Sequence, residues 1–418
     1  MKTRTKFLKS GILIPLLFLA TNLFALKSSL YTGVWRGVLQ LNDTTELPFN
    51  FEIKQPNERL LIEIINGTER ISVTEINFIF DSVIIKLPVF DSEFRCKNYG
   101  DSLKGVWINH NRKDKNRIPF SAHSGNKQRF IIKYWTNYEP NVQGTWEATF
   151  APNTKDPDKA IGKFFQTNVV EGSKLTGTFA TESGDYRYLE GIQANNRFLL
   201  SCFDGSHAFL FTATLRNDSL VNGRFYSGAH SHQTWVAVRN EKFQLRNPDS
   251  LTYLKAGYDK INFSFKNLEG KTVSLSDEKY KNKVVIVQLM GSWCPNCMDE
   301  TKFFASLYNE EKNKGLEIIA LAFERTDDFA KAVEKVSRVK NKFNAKYDFL
   351  ITMKTGANQA SEALPMLNNV MAFPTTIYID KKGNVKKIYT GFYGPATGES
   401  YTHYVSETST LIEKMLGE

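Results

Sequence analysis

The sequence runs to 418 residues, with 41% hydrophobic, 23% charged and 13% aromatic side chains and a formal charge of +10 at neutral pH. That length exceeds one ordinary domain, and so balanced a composition excludes a largely disordered or collagen-like chain. Lys2, Arg4, Lys6 and Lys9 lie in a segment expected to be removed, which leaves +6, and so mild an excess without a basic module argues against a nucleic-acid partner.

Residues 1–25 combine a basic start, the apolar run Gly11–Ala20 and the small residue Ala25, the layout of a secretory signal. The run is shorter than the roughly 20 residues that span a bilayer, so cleavage is expected, with an uncleaved membrane anchor reaching Phe24 as the alternative. Export would put the remaining chain in the periplasm, where disulfides form and persist.

Residues 26–245 read as all-β. Pro48–Lys54, Ile71–Phe80, Ser82–Leu87, Phe130–Trp135, Arg197–Cys202 and Ala208–Leu215 are short alternating segments broken by Gly, Asn and Asp, as in an antiparallel barrel or sandwich. A faint repeat links residues 31–125 with 141–239: Gly33-Val34-Trp35 answers Gly144-Thr145-Trp146. Asp101-Ser102-Leu103 before Gly105-Val106-Trp107 answers Asp218-Ser219-Leu220 before Gly223-Arg224-Phe225. Trp35, Trp107, Trp146 and Trp235 are expected in the core, although together they would also suit a ligand site in a glycan- or apolar-ligand-binding protein. Arg112, Lys113, Lys115, Arg117, Lys127, Arg129 and Lys133 are read as a solvated loop and its flanks.

The polar stretch 246–257 is the best linker, and an α/β domain is expected over 258–418. Ile261–Phe265 and Val273–Leu275 flank a Gly270 turn, and Val284–Leu289 has the continuous apolar character of a buried parallel strand. Helix Pro295–Lys314, strand Leu316–Phe323, a helix from Asp327 to Phe343 and strand Phe349–Thr352 follow. The hairpin Thr375–Asp380 with Val385–Thr390 and a last helix Glu399–Leu416 complete the order, with Ala357–Leu367 as an inserted helical segment.

Cys294-Pro295-Asn296-Cys297 suits half a zinc site, a structural disulfide or a redox pair. Zinc lacks a second ligand pair, because Cys96 and Cys202 are solitary and distant and His403 is unpaired; no metal and no other cofactor is expected. Cys294 directly follows a buried strand where a helix begins, and Pro295 suits the first helical position. Free N–H groups and the positive end of the helix dipole would stabilise a Cys294 thiolate as the attacking group, with the better shielded Cys297 resolving the mixed disulfide.

Gly291-Ser292-Trp293-Cys294-Pro295-Asn296-Cys297, the strand Val284–Leu289, Phe373-Pro374-Thr375 and Ile379-Asp380-Lys381-Lys382-Gly383 together resemble the TlpA/ResA family of exported thiol:disulfide oxidoreductases, in its Bacteroidetes-type form with an added N-terminal region. The resemblance implies a thioredoxin fold over residues 258–418, with Pro374 held cis against the disulfide. Trp293, Pro295, Phe373, Pro374 and Thr375 would then border the substrate groove. Glu300 matches the family's glutamate beneath the disulfide, where it would handle the proton of the resolving thiol. The implied partners are protein disulfides and an external electron donor, a membrane or thioredoxin-type relay, with reduction as the implied direction. Met290-Gly291 and Asn296 depart from the family pattern and leave the redox potential open. A peroxide-reducing relative is the rival enzyme, weakened because a Thr-x-x-Cys environment is absent. Cys96 and Cys202 are either joined to each other or buried as free thiols.

Overall fold

In the computed structural model residues 29–132, 140–168 and 173–418 are described, so the expected signal at 1–25 lies outside them. Alternation along Gly33–Asn42 turns Trp35, Leu39 and Leu41 inward, and the same period-two pattern recurs in Leu61–Asn66, Ser82–Lys86 and Arg117–Ser124 among the first nine strands. They form one antiparallel meander in the order Glu69–Val73, Leu61–Asn66, Thr45–Lys54, Gly33–Asn42, Arg117–Ser124, Ser102–Asn109, Ser92–Asn98, Ser82–Lys86 and Glu75–Ile79. A second nine-stranded sheet runs Asp158–Asn168, Gly144–Phe150, Ser231–Arg239, Ser219–Ser227, Ala208–Arg216, Arg197–Phe203, Leu189–Ala194, Ser173–Thr181 and Gly184–Asp185. Its first strand also pairs with Ser173–Thr181, which closes the sheet into a barrel and leaves no free edge there.

The two sheets begin alike. Trp35 donates its indole N–H to Tyr31 O at 2.8 Å, and Trp146 donates to Val142 O at 2.9 Å, each reaching back four residues from the first strand of its sheet. Trp35, Trp107, Trp146 and Trp235 are all buried, so the four tryptophans fill core and line no ligand site. The sheets share apolar contact through Phe203, whose ring lies 4.5 Å from Phe49.

Three expectations for the β region need correction. The segment Ile71–Phe80 is two strands, interrupted at Thr74 between Glu69–Val73 and Glu75–Ile79. Phe130–Ile132 are not in a strand, and the rest of the expected Phe130–Trp135 strand lies outside the described residues. Arg129 is no solvated loop residue: it is buried, donating Nη1 to Ser201 O at 3.1 Å and pairing with Glu190 at 3.3 Å, an interior tie between segments far apart in the chain.

The C-terminal part is a seven-stranded sheet ordered Thr272–Ser274, Ser264–Asn267, Asp348–Ile351, Leu316–Ala322, Val284–Met290, Thr375–Ile379 and Val385–Thr390. Val284–Met290, Leu316–Ala322 and Asp348–Ile351 are parallel, and Thr375–Ile379 runs antiparallel to the first of these. Helices Pro295–Glu311, Phe329–Lys342, Gly356–Ala363 and Glu399–Gly417 complete the α/β arrangement. The two faces of the sheet feed separate apolar cores, which is why Val284–Met290 is buried at every position. The expected first hairpin is displaced: Ile261 and Phe263 are buried before pairing starts at Ser264. The inserted helix is Gly356–Ala363 alone; Leu364 and Leu367 are packed irregularly, the latter bridged to Leu254.

Candidate active site

The last residue of buried strand Val284–Met290 is followed by four residues that lead into helix Pro295–Glu311. Cys294 caps that helix in an extended conformation, and its Sγ accepts the backbone N–H of Cys297 at 3.2 Å. Pro295 takes the first helical position. Cys294 and Cys297 are joined as a disulfide with their Cα atoms 5.3 Å apart; Cys294 is 6% exposed and Cys297 fully buried. An anionic sulfur at Cys294 would sit at the positive end of a 17-residue helix, already within reach of an N–H donor.

Phe373 and Pro374 are joined by a cis peptide bond. The carbonyl oxygen of Phe373 lies 3.5 Å from Cys294 Sγ. The Phe373 ring meets Trp293 edge-on at 5.7 Å, so these two aromatics border the disulfide together. Thr375 is fully buried, donates its hydroxyl to Ala372 O at 2.9 Å and lies between Leu289 and Thr390 of the flanking strands.

Glu300 is fully buried one turn beyond Cys297. Its Oε1 accepts the hydroxyls of Thr376 at 2.8 Å and Tyr404 at 2.9 Å, and its Oε2 accepts Gln288 Nε2 at 2.9 Å. Gln288 is oriented by Thr301, which donates to its Oε1 at 3.2 Å, while Nε2 also reaches Cys297 O at 3.5 Å. Burial pushes the Glu300 carboxyl up to about 7, against the pull of the three hydrogen bonds. It can therefore hold or release a proton near neutral pH, beside the backbone of Cys297.

A second buried acid lies on the other side of the turn. Glu324 accepts Ser292 N at 2.7 Å and Ser292 Oγ at 2.6 Å, and burial raises its carboxyl. Gly291 is required by the same turn: a Cβ there would come within 2.3 Å of Trp293 Nε1, which folds back to donate to Phe323 O at 2.9 Å. The glycine at this position thus follows from where the indole lies.

The β region reaches this turn directly. Ser206 donates to Trp293 O at 2.9 Å, and Asn296 Nδ2 donates to Asp185 O at 3.1 Å. Gly184, at φ +134°, admits that approach, since a Cβ would lie 2.4 Å from Asn296 Nδ2. Buried Arg187 pairs with Asp299 on the active-site helix, with Glu69 at 2.7 Å and with Asp204 at 3.8 Å. Phe90 belongs to the same apolar cluster as Met290 and Cys294. None of these β-region contacts was signalled in the sequence. Gln288, by contrast, was visible as the one amide inside an apolar strand. Cys96 and Cys202 are buried free thiols, Cys96 pushed up to about 12 by burial. Among the described residues no group of three or more His, Cys, Asp or Glu side chains is arranged to hold a metal ion.

A helix capped by one cysteine of a disulfide, faced by a cis-proline and backed by a buried acid, defines a thioredoxin-fold thiol-disulfide oxidoreductase. Residues 255–401 match the Redoxin family model. The thiol-disulfide oxidoreductase ResA of Bacillus thuringiensis subsp. konkukian is 31% identical over 154 residues, 37% of this chain and 79% of that protein. ResA of Halalkalibacterium halodurans is 28% identical over 137 residues, 33% of this chain and 69% of that protein. A solved thiol-disulfide oxidoreductase structure from Bacteroides fragilis superposes with a TM-score of 0.28 at 18% identity, covering 35% of this chain and 99% of that one. The chain belongs to the ResA family of thiol-disulfide oxidoreductases.

Proposed function

We propose that this enzyme is exported to the periplasm and there reduces disulfides of partner proteins through Cys294 and Cys297. The observation that carries the proposal is the cap geometry: Cys294 Sγ is the sulfur at the helix N-terminus and the more exposed of the two. In the reduced enzyme the Cys294 thiolate attacks one sulfur of the partner disulfide, forming a mixed disulfide and expelling the other partner sulfur as a thiolate. Cys297 then loses its proton towards Glu300 and attacks Cys294 Sγ, which frees the second partner sulfur and leaves the 294–297 disulfide. Two electrons pass to the partner, whose two thiolates take one proton by way of Glu300 and one from solvent, and an external donor, a membrane-bound or thioredoxin-type relay, restores the dithiol. Trp293, Phe373 and the Pro374 turn border the groove in which an extended partner segment pairs with free backbone groups.

Reduction of insulin by the wild-type chain and by Cys294→Ser tests the chemistry: activity is expected only in the wild type, and equal activity in both ends the proposal. A potential for the 294/297 pair well above the glutathione poise would make the protein an oxidant instead. Export predicts a mature N-terminus near residue 26 in the periplasmic fraction, read by N-terminal sequencing.

A further inference from the structure

An open cleft of about 690 Å³ lies where the β region meets the thioredoxin-fold part, walled by residues 110–114 on one side and by Arg325, Thr326, Asp327 and Thr355 on the other. It adjoins the redox centre, because the Arg325 guanidinium stacks on the Trp293 indole 3.7 Å from the ring centroid, and Trp293 immediately precedes Cys294. The opposite wall is fixed in place. Lys335 Nζ binds Asn111 Oδ1 at 2.7 Å and Asp91 at 3.2 Å, and Asn109 Nδ2 donates to Ser206 O at 3.2 Å.

Two guanidinium groups, one from each wall, are held in this cleft without an ion pair among the described residues. Burial first and then Arg112 disfavour the Arg325 charge, against the pull of Glu324, and burial followed by Arg112 pushes His230 down to about 4, against the pull of Asp114. Lys113 adds a third cation to the lining; among the described residues Asp114 favours the Arg112 charge and Glu324 the Arg325 charge, neither within salt-bridge distance. His110 is turned aside to Glu93 at 3.3 Å. Like charges brought together without a salt-bridge partner are stabilised by an incoming anion, and a planar guanidinium fork matches a carboxylate.

We propose that Arg112 and Arg325 form a carboxylate-binding subsite beside the redox disulfide, which seats an acidic side chain of the partner polypeptide close to the disulfide it presents. The proposal deepens the protein-disulfide reading, and its test does not require turnover. Two cystine peptides of equal length, one with glutamates beside the cystine and one with glutamines there, are titrated onto the Cys294→Ser chain. The glutamate peptide is expected to bind about tenfold tighter, with a preference that fades in high salt and is lost in Arg112→Gln/Arg325→Gln. Arg112→Glu/Arg325→Glu, checked for an unchanged melting transition, is expected to favour a lysine version of the peptide. Equal affinity for the glutamate and glutamine peptides, or a preference that survives both double variants, overturns the subsite. Failure of the wild type to reduce insulin would overturn the catalytic proposal and leave these binding results standing.

Discussion

Tyr404, on the last helix, donates its hydroxyl to Glu300 Oε1 over 2.9 Å, across 104 positions of sequence. The carboxyl of Glu300, on the active-site helix itself, is thus held by groups from three other elements: Gln288 from a central strand, Thr376 from the strand after the cis-proline and Tyr404 from the C-terminal helix.

Glu300 should make stability depend on pH. Its carboxyl retains a proton to about 7 in the folded chain, against 4.5 as the reference value, so between these values the native state binds more protons than the unfolded state. Stability is then highest at the acid end of the window and declines as pH rises through it, by about 3 kcal/mol if the whole shift is realised. Glu300→Gln should flatten that slope in urea titrations between acid and neutral pH; an unchanged slope would assign the effect to another group.

Removing the Tyr404 hydroxyl takes away one hydrogen bond to the charged form. Tyr404→Phe should therefore move the Glu300 titration to higher pH and shift the pH profile of disulfide exchange in the alkaline direction, with a stability loss of about 1 kcal/mol. A profile that stays in place while the protein is destabilised would leave Tyr404 with a packing role only.

Gly291→Ala forces the Trp293 indole away from Phe323 O, since the new methyl would lie 2.3 Å from Nε1. A loss of about 1–3 kcal/mol is expected. A shift in tryptophan emission should accompany it, and unaltered emission with full stability would contradict the close approach.

Arg187→Ala leaves Glu69, Asp204 and Asp299 without their shared cation, in a place where Arg187 is 7% exposed at its side chain. Loss of one partner from such a cluster costs about 3–5 kcal/mol. Calorimetry on the full chain should show a large fall in the melting temperature. A change within a degree would mean that the acids find other partners or protons.

Thiol counting separates the cysteines. In the reduced native protein Cys294 should react rapidly with Ellman's reagent and Cys297, buried beneath it, should displace the bound reagent by attacking Cys294 Sγ, giving two equivalents, while buried Cys96 and Cys202 react only after urea is added. Four rapid equivalents without urea would show that the β-region thiols are accessible.

Local chemistry was legible in the sequence wherever its cause was local. The apolar run at 284–289, Pro295 inside the helix start and the i+3 spacing of Glu300 from Cys297 all act within a few residues, and each leaves a pattern. What escaped notice depends on distant encounters. Arg129 reads as one charge in a basic run, because nothing nearby announces Ser201 and Glu190 as its partners. Asp185 and Ser206 are ordinary turn residues until the fold brings them to Asn296 and Trp293. In the Ile71–Phe80 segment, by contrast, the polar pair Thr74-Glu75 shifts the phase of the alternation, a local mark of the break at Thr74, where the two halves turn to different neighbours, Leu61–Asn66 and Ser82–Lys86.

The hydrogen bond from Tyr404 also orders events during biogenesis. A chain that emerges N-terminus first exposes both active-site cysteines while Tyr404 is still 104 residues behind Glu300. Until the C-terminal helix docks, the carboxyl is open to water and keeps the ordinary acidity of glutamate. The C-terminal helix therefore ties the acidity of Glu300 to the folding of the whole domain, since the groups around the carboxyl come from Gln288, Thr376 and Tyr404 as well as from its own helix.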